Sequence, residues 1–332
     1  TKMDTEYFDY NTNKIYLDAF QQVSNAGGSS YPEVNAAIDN ATERGSLIIN
    51  YAGHGGELGW THERVLGNSQ IKGYTNFDAL TLYVTATCEF SRFDDPDRTS
   101  AGEFTILNPS GSALALLTTT RLVYASENFK LATRFFSNVF EKIDGKRPTL
   151  GDLTRLSKVG GSSINTRNFS LLGDPAATLA YPKYSIKTTS APDTLKSLQE
   201  ITINGQITDE FGQKISNFNG TIYPTIYAQK RDQNTLNNDG HGVFSFKTQE
   251  NALFNGKASV SNGDFSFSFI VPKDINFKYG NGKISYYAEN GSIDALGSDG
   301  KIIIGGLDGD PNSDQIGPEI SLWMNDESFI TG

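Results

Sequence analysis

Only three histidines and one cysteine occur in the 332 residues, and one of the histidines, His54, stands among glycines in "SLIINYAGHGGELGW" (Ser46–Trp60). A core imidazole needs side-chain neighbours, and a solvated one needs no special setting. Bare backbone around a histidine suits one that must reach a substrate. The lone cysteine, Cys88, ends a second apolar run, "LTLYVTATC", with 33 residues between it and His54. A free thiol with a pKa near 8.5 is only a few per cent thiolate at neutral pH; a neighbouring imidazole stabilises the thiolate by ion pairing or takes its proton. Attack on a peptide carbonyl then builds an oxyanion that needs two donors. The backbone N–H groups of Gly55 and Cys88 are the candidates, and Gly53, Gly55 and Gly56 are read as room for the substrate.

Zinc is the rival chemistry, with His54, His62, Glu57, Glu63 and Cys88 as ligands. Neither a CxxC nor an HExxH spacing supports it. The acidic stretch "EFSRFDDPDRTSAGE" after Cys88 reads as a solvated, internally paired loop. Asp94, Asp95 and Asp97 are close enough in sequence to share calcium, but no EF-hand spacing backs that reading. Glu57, Glu89 and Arg121 are weaker substrate-binding candidates. Arg121 follows "LLTTT" and should emerge beside Cys88, to meet a substrate or a loop acid; Glu89 should point away from the thiol. The mechanism requires no cofactor. His241 reads as a hairpin-loop residue, and Trp60 and Trp323 as packing.

These residues need a scaffold that brings strand ends together. Short, nearly continuous apolar runs predict strands at Lys14–Phe20, Ser46–Ala52, Leu80–Thr87 and Ser112–Thr120, as in a parallel sheet covered on both faces. Helices are predicted over Tyr31–Arg44 and over Glu127–Ile143, the latter capped by Ser126 with an apolar stripe of Phe129, Ala132, Phe136, Val139 and Phe140. Another should start near Thr149. In open parallel sheets ligands bind beyond the carboxyl ends of the strands, where His54 and Cys88 would meet if their strands are neighbours. From about Tyr184 the pattern becomes short alternating strands with Gly, Asn and Asp turns, predicting a small all-β, Ig-like sandwich with an edge strand at Pro224. The expected division is an α/β domain over 1–182, a β-sandwich over 183–304, and a linker with the first strand of a further β domain over 305–332.

The net charge of −10 and the lack of Lys/Arg runs argue against nucleic acid or an anionic membrane surface as partner. No apolar run is long enough to span a bilayer. A single cysteine excludes an internal disulfide. The start at Thr1 and the strand-like "GPEISLWMNDESFITG" at the end read as an internal piece of a longer protein.

Four stretches resemble the gingipain family of cysteine peptidases: "NYAGHGG" (Asn50–Gly56), "VTATCEF" (Val84–Phe90), "ALLTTTRLVYAS" (Ala115–Ser126) and "NFSLLGDPA" (Asn168–Ala176). Others are similar to the PorU-type sortases within it, which serve the type IX secretion system of Bacteroidetes: "GWTHERVL" (Gly59–Leu66), "CEFSRFDDPDRTSAGE" (Cys88–Glu103), "FNGKASVSNGDFSFSFIVPKDI" (Phe254–Ile275) and "GNGKISYYA" (Gly280–Ala288). The resemblance implies a caspase-like α/β fold lacking its N-terminal part, His54 as base and Cys88 as nucleophile. It also implies cleavage of the C-terminal sorting domain from secreted cargo, with the acyl group passed to a lipopolysaccharide amine or to water. Other outer-membrane secretion components would be partners, and the cell surface the location, with outer-membrane association through regions outside this chain. The family's histidine-orienting acid would fall upstream of Thr1; Asp4, Glu6 and Asp18 do not match its position, which leaves the activity of this piece open. The alternatives are a non-enzymatic interaction module and a general gingipain-like endopeptidase.

Overall fold

Strand Ile48–Ala52 (β1) lies parallel to Thr81–Ala86 (β2), which is buried at every residue. Ala113–Thr119 (β3) continues the parallel run, and Phe169–Leu172 (β4) closes it antiparallel, giving the order β1-β2-β3-β4. Alternate residues of β2 point to opposite faces. Leu82, Val84 and Ala86 join a core with Leu131, Phe135, Leu150 and Leu153, whereas Tyr83 joins Tyr31, Val34, Ile38, Trp60 and Ala101. Helices Pro32–Glu43 (α1) and Ala101–Leu107 (α2) therefore supply one face, and Ala125–Asn138 (α3) and Leu150–Lys158 (α4) the other. Two-sided burial explains why β2 and β3 read as apolar runs, while β1 at the sheet's edge is only partly buried. The computed structural model describes residues 2–26, 28–161 and 163–307. No helix among them is long and apolar enough to cross a membrane.

Two local expectations change. The stretch Lys14–Phe20 is not a strand: its regular part is a 3-10 turn over Leu17–Ala19, and Ile15, Leu17 and Phe20 pack against the Tyr31–Trp60 cluster. Helix α3 begins two residues before the expected start, with Tyr124 and not Ser126 at its N-cap. The Asn165 side-chain oxygen takes the Tyr124 N–H at 2.5 Å, which fixes the entry in place of a serine cap. The buried stripe is accordingly Asn128, Leu131, Phe135, Val139 and Phe140, and Phe129 is 74% exposed. Helix α4 follows Thr149, whose hydroxyl accepts the Asp152 N–H while the Asp152 carboxylate accepts from Thr149.

The described residues divide into two compact units, one over 2–183 with 231–248 and one over 184–230 with 249–307. The hairpin of Arg231–Asn234 and Ser245–Thr248 thus groups with the first unit. Its loop carries His241. Leu236 N–H donates to the Asp18 carbonyl, and the Asn237 and Asn238 N–H groups donate to the Asp18 carboxylate at 3.0 and 2.7 Å.

In the second unit, seven strands close into a barrel: Tyr184–Ser190 (β5), Glu200–Thr208 (β6), Gly220–Tyr227 (β7), Ala258–Ser261 (β8), Asp264–Ile270 (β9), Lys283–Glu289 (β10) and Asp294–Asp299 (β11). The ring runs β7-β8-β9-β6-β5-β11-β10, and pairing of β10 with β7 completes it. All-β character is as expected; the closed ring replaces the two-sheet sandwich. Pro224 does not lie on an edge. One flank of β7 pairs with β10, and Pro224 sits where the other flank passes from β8 to Ala252–Asn255, at a break in the ladder that spares the missing N–H. Gly305–Leu307 ends a strand, Ile303–Leu307, and not a linker; the remainder of the expected linker, the further domain and Trp323 lie outside the described residues.

Candidate active site

Parallel register sets the site. Ala52 pairs with Ala86, and the Gly53 N–H donates to the Ala86 carbonyl at 3.4 Å. His54 and Cys88 each follow this pair by two residues, so they leave the sheet from adjacent strands at the same edge. His54 is exposed and Cys88 half-buried. The thiol donates to the Val123 carbonyl at 3.7 Å, and no thiol–imidazole hydrogen bond is formed among the described residues.

The histidine's backbone is held firmly. Its carbonyl accepts the Tyr51 hydroxyl at 2.6 Å and the Thr61 N–H at 2.9 Å, and Tyr51 stacks on Trp60 with ring centres 4.2 Å apart. Burial pushes the Tyr51 hydroxyl well above its usual pKa, so it stays a donor. Gly55 and Gly56 pair with Trp60 and Gly59 in a short antiparallel ribbon. The Thr61 N–H donates to the His54 carbonyl next to the Gly55–Trp60 pair, the position that in a regular antiparallel ribbon leaves Gly55 and Trp60 as the non-hydrogen-bonded pair. The Cys88 N–H has no backbone acceptor among the described residues.

The glycines around His54 serve the protein's own packing more than the sequence suggests. A Cβ on Gly53 would lie 2.6 Å from the Tyr51 hydroxyl, and one on Gly55 would lie 2.6 Å from Thr87 Oγ1 and 2.8 Å from the Gly59 carbonyl. Only at Gly56 does a Cβ meet nothing. Gly55 therefore lets the histidine loop close on Thr87, the residue preceding the cysteine.

Polar contacts around the strand end that leads to Cys88 were not legible in the sequence. Asn128 donates to the Ala86 carbonyl at 3.4 Å and accepts from Asn165 at 3.2 Å. The Thr119 hydroxyl donates to the Thr87 carbonyl, while Thr118 Oγ1 accepts from Thr85 at 2.7 Å and lies 2.9 Å from Ser91 Oγ. The available signal was an asparagine at a buried position of an otherwise apolar helix stripe.

The weaker candidates are already engaged. Glu57 binds Arg92 at 3.0 Å and Arg98 at 3.2 Å, and its side chain is 10% exposed. Arg92 also reaches Glu89 at 3.8 Å. Arg121 forms a two-point pair with Asp94, which holds the Asp94 carboxyl below its ordinary range. Asp95 accepts the Asp97 N–H at 3.0 Å. Among the described residues no three His, Cys, Asp or Glu side chains, those of His62 and Glu63 included, form a group that could hold a metal ion. Of the upstream acids, Asp4 pairs with Lys14 at 3.3 Å and Glu6 with Lys2 at 3.0 Å.

A sequence model of peptidase family C25 matches residues 1–180. The chain belongs to that family. It is a cysteine-peptidase family, and the membership accounts for the gingipain-like motifs at His54 and Cys88. Among solved structures, dimeric latent PorU from Porphyromonas gingivalis is 29% identical at a TM-score of 0.41, covering 67% of this chain and 23% of that one. The Arg-specific cysteine proteinase gingipain R (RgpB) is 17% identical at 0.41, covering 79% and 56%. A complex of the pro- and mature domains of Porphyromonas gingivalis RgpB is 16% identical at 0.40, covering 79% and 57%. The chain thus spans about a quarter of the PorU chain and little more than half of the gingipain chains. A comparison with curated proteins finds no match.

Proposed function

We propose that Cys88 and His54 form the nucleophile–base dyad of a cysteine endopeptidase of the sortase type, built on a caspase-like core. The observation that carries this reading is the Ala52–Ala86 register, from which both residues emerge two positions later, with Gly55 packed on Thr87 to hold their loops together. The imidazole takes the thiol proton, the thiolate attacks the scissile carbonyl, and the N–H groups of Gly55 and Cys88 receive the oxyanion. Collapse of the tetrahedral adduct breaks the C–N bond. The protonated imidazole gives its proton to the leaving amine, and a thioester remains on Cys88. Attack by water releases an acid, whereas attack by a lipopolysaccharide amine yields a new amide; either regenerates the thiol. In substrate-free enzymes catalytic hydrogen bonds of this kind are often long, and they tighten with substrate bound.

The substrates are secreted proteins carrying a C-terminal sorting domain, met at the cell surface beside other outer-membrane secretion components. Support comes from the family membership and from the PorU-type motifs in both units. In the full-length natural protein, Cys88→Ala should abolish removal of the sorting domain from cargo, read by the cargo's mass in culture, while circular dichroism stays unchanged. Normal cargo maturation in that strain would rule the reading out.

A further inference from the structure

We propose that Glu57 is a positioning residue, a clasp that fixes the loop bearing His54 against the loop bearing Cys88. The inference rests on the dyad reading above. Glu57 lies three residues after His54, in the turn between Gly55–Gly56 and Gly59–Trp60. Three points of the segment that follows Cys88 converge on it. Oε1 takes Arg92 Nη1 at 3.0 Å, Oε2 takes Arg98 Nη1 at 3.2 Å, and the Glu57 carbonyl takes the Ala101 N–H at 2.7 Å. The last contact anchors the turn at the first residue of α2, the helix capped by Ser100 and Glu103.

Both carboxylate oxygens are committed, and the Glu57 side chain is largely withdrawn from water while Arg92 and Arg98 stay partly exposed. That occupancy also removes Glu57 as a free acid for a basic substrate side chain. Between the dyad and the clasp on the cysteine side the chain makes a forced turn. Glu89 sits at φ 51°, in the left-handed region that a long side chain occupies only when its surroundings hold it there, and Arg92 reaches back to its carboxylate at 3.8 Å. Arg92 thus ties the turn after the thiol to the acid after the imidazole. Without the clasp, the two loops keep their strands but lose the tie between their far sides.

The test reads the thiol directly and needs no known cargo. In the full-length natural protein, the rate of Cys88 alkylation by iodoacetamide is followed against pH for wild type, Glu57→Gln, Glu57→Asp and His54→Ala. A displacement of about 1 Å between reacting groups costs up to about a hundredfold, so Glu57→Gln should slow alkylation near neutral pH by about tenfold or more. Its pH–rate curve should move toward that of His54→Ala, and Glu57→Asp should recover most of the rate. Glu57→Gln/Arg92→Gln removes both members of one pair and serves if the single variant folds poorly; it should show the same displaced curve. A folded Glu57→Gln protein, or the folded double variant, with the wild-type curve would overturn the clasp while leaving the dyad standing. A His54→Ala curve equal to wild type would overturn the dyad and the clasp's role with it.

Discussion

Two glycines, one in each unit, meet the same physical problem and solve it for different ends. In the barrel, Gly205 faces Phe265 directly across the β6–β9 register, and the ring occupies the space a Cβ would need. Phe265 is buried among Ile203, Ile207 and Tyr286, so the missing side chain admits core volume. In the first unit, Gly55 is pressed against Thr87 and the Gly59 carbonyl. What it admits is a polar loop, and the gain is placement. The turns differ in kind as well. The β8–β9 turn puts its positive φ on Asn262 and Gly263, which tolerate it, whereas the loops around His54 and Cys88, besides Gly59, put theirs on Thr61, Arg64 and Glu89. Local rules hold in the barrel's hairpin and bend where the chemistry is expected.

Truncating the barrel's filler is the strongest test of this contrast. Phe265→Ala should cost about 3–5 kcal/mol of the second unit's stability, because a buried ring is lost and a glycine stands opposite the hole. Denaturant unfolding followed through that unit's tyrosines measures it, and Cys88 alkylation in the folded protein should be unchanged. A loss below about 1 kcal/mol would show that the strands collapse into the space, against the close packing argued here.

Gly55→Ala probes the other side. The new methyl meets a side-chain oxygen at 2.6 Å and a backbone oxygen at 2.8 Å, so the ribbon must move away from Thr87. The expected result is a fall of about a hundredfold in cargo processing, equivalent to about 2.7 kcal/mol, with a much smaller change in melting temperature. Adding Thr87→Ala should restore only part of it, because the Gly59 carbonyl stays in the way. Full activity in Gly55→Ala would mean that the approach of the two loops is not what the chemistry needs.

What the sequence disclosed follows the range of the forces involved. The strands β2 and β3 were legible because burial on both faces writes itself into a continuous apolar run, and β1, only partly buried at the sheet's edge, still kept its β-rich apolar stretch. His54 and Cys88 stood out by rarity and by their place at strand ends. Closure of the barrel was not legible: the pairing of Ile222 with Ala288 and Tyr227 with Lys283 joins distant strands and leaves no local signature. The tyrosine and asparagines near His54 and Cys88 were hidden for the same reason. Tyr51 looked like one more strand residue, and Asn128 and Asn165 acquire meaning only because α3 and Ile164–Arg167 bring them together. The run Lys14–Phe20 carried a strand's composition but found a hairpin loop over 200 residues away instead of a strand partner.

That last contact yields the smallest effect and a pH dependence. The N–H groups of Asn238 and Asn237 hold the Asp18 carboxyl below its ordinary value of 3.8. A carboxyl lowered in the folded state contributes stability that is fully present above its unfolded pKa and is lost as pH falls through the lowered value. Docking of the hairpin loop should therefore be constant at neutral pH and weaken only below about pH 4. Asp18→Asn should imitate the acid state at pH 7, keeping one acceptor oxygen but losing the charge that strengthens both bonds. Amide exchange at Asn237 and Asn238, expressed relative to unfolded-chain rates, should rise severalfold in the variant while amides of β2 stay protected. Equal protection of the loop in both proteins would place its anchorage in the aromatic contacts of Tyr16 with Phe244 and Phe246, at 5.8 and 4.7 Å, and leave the carboxylate without a role.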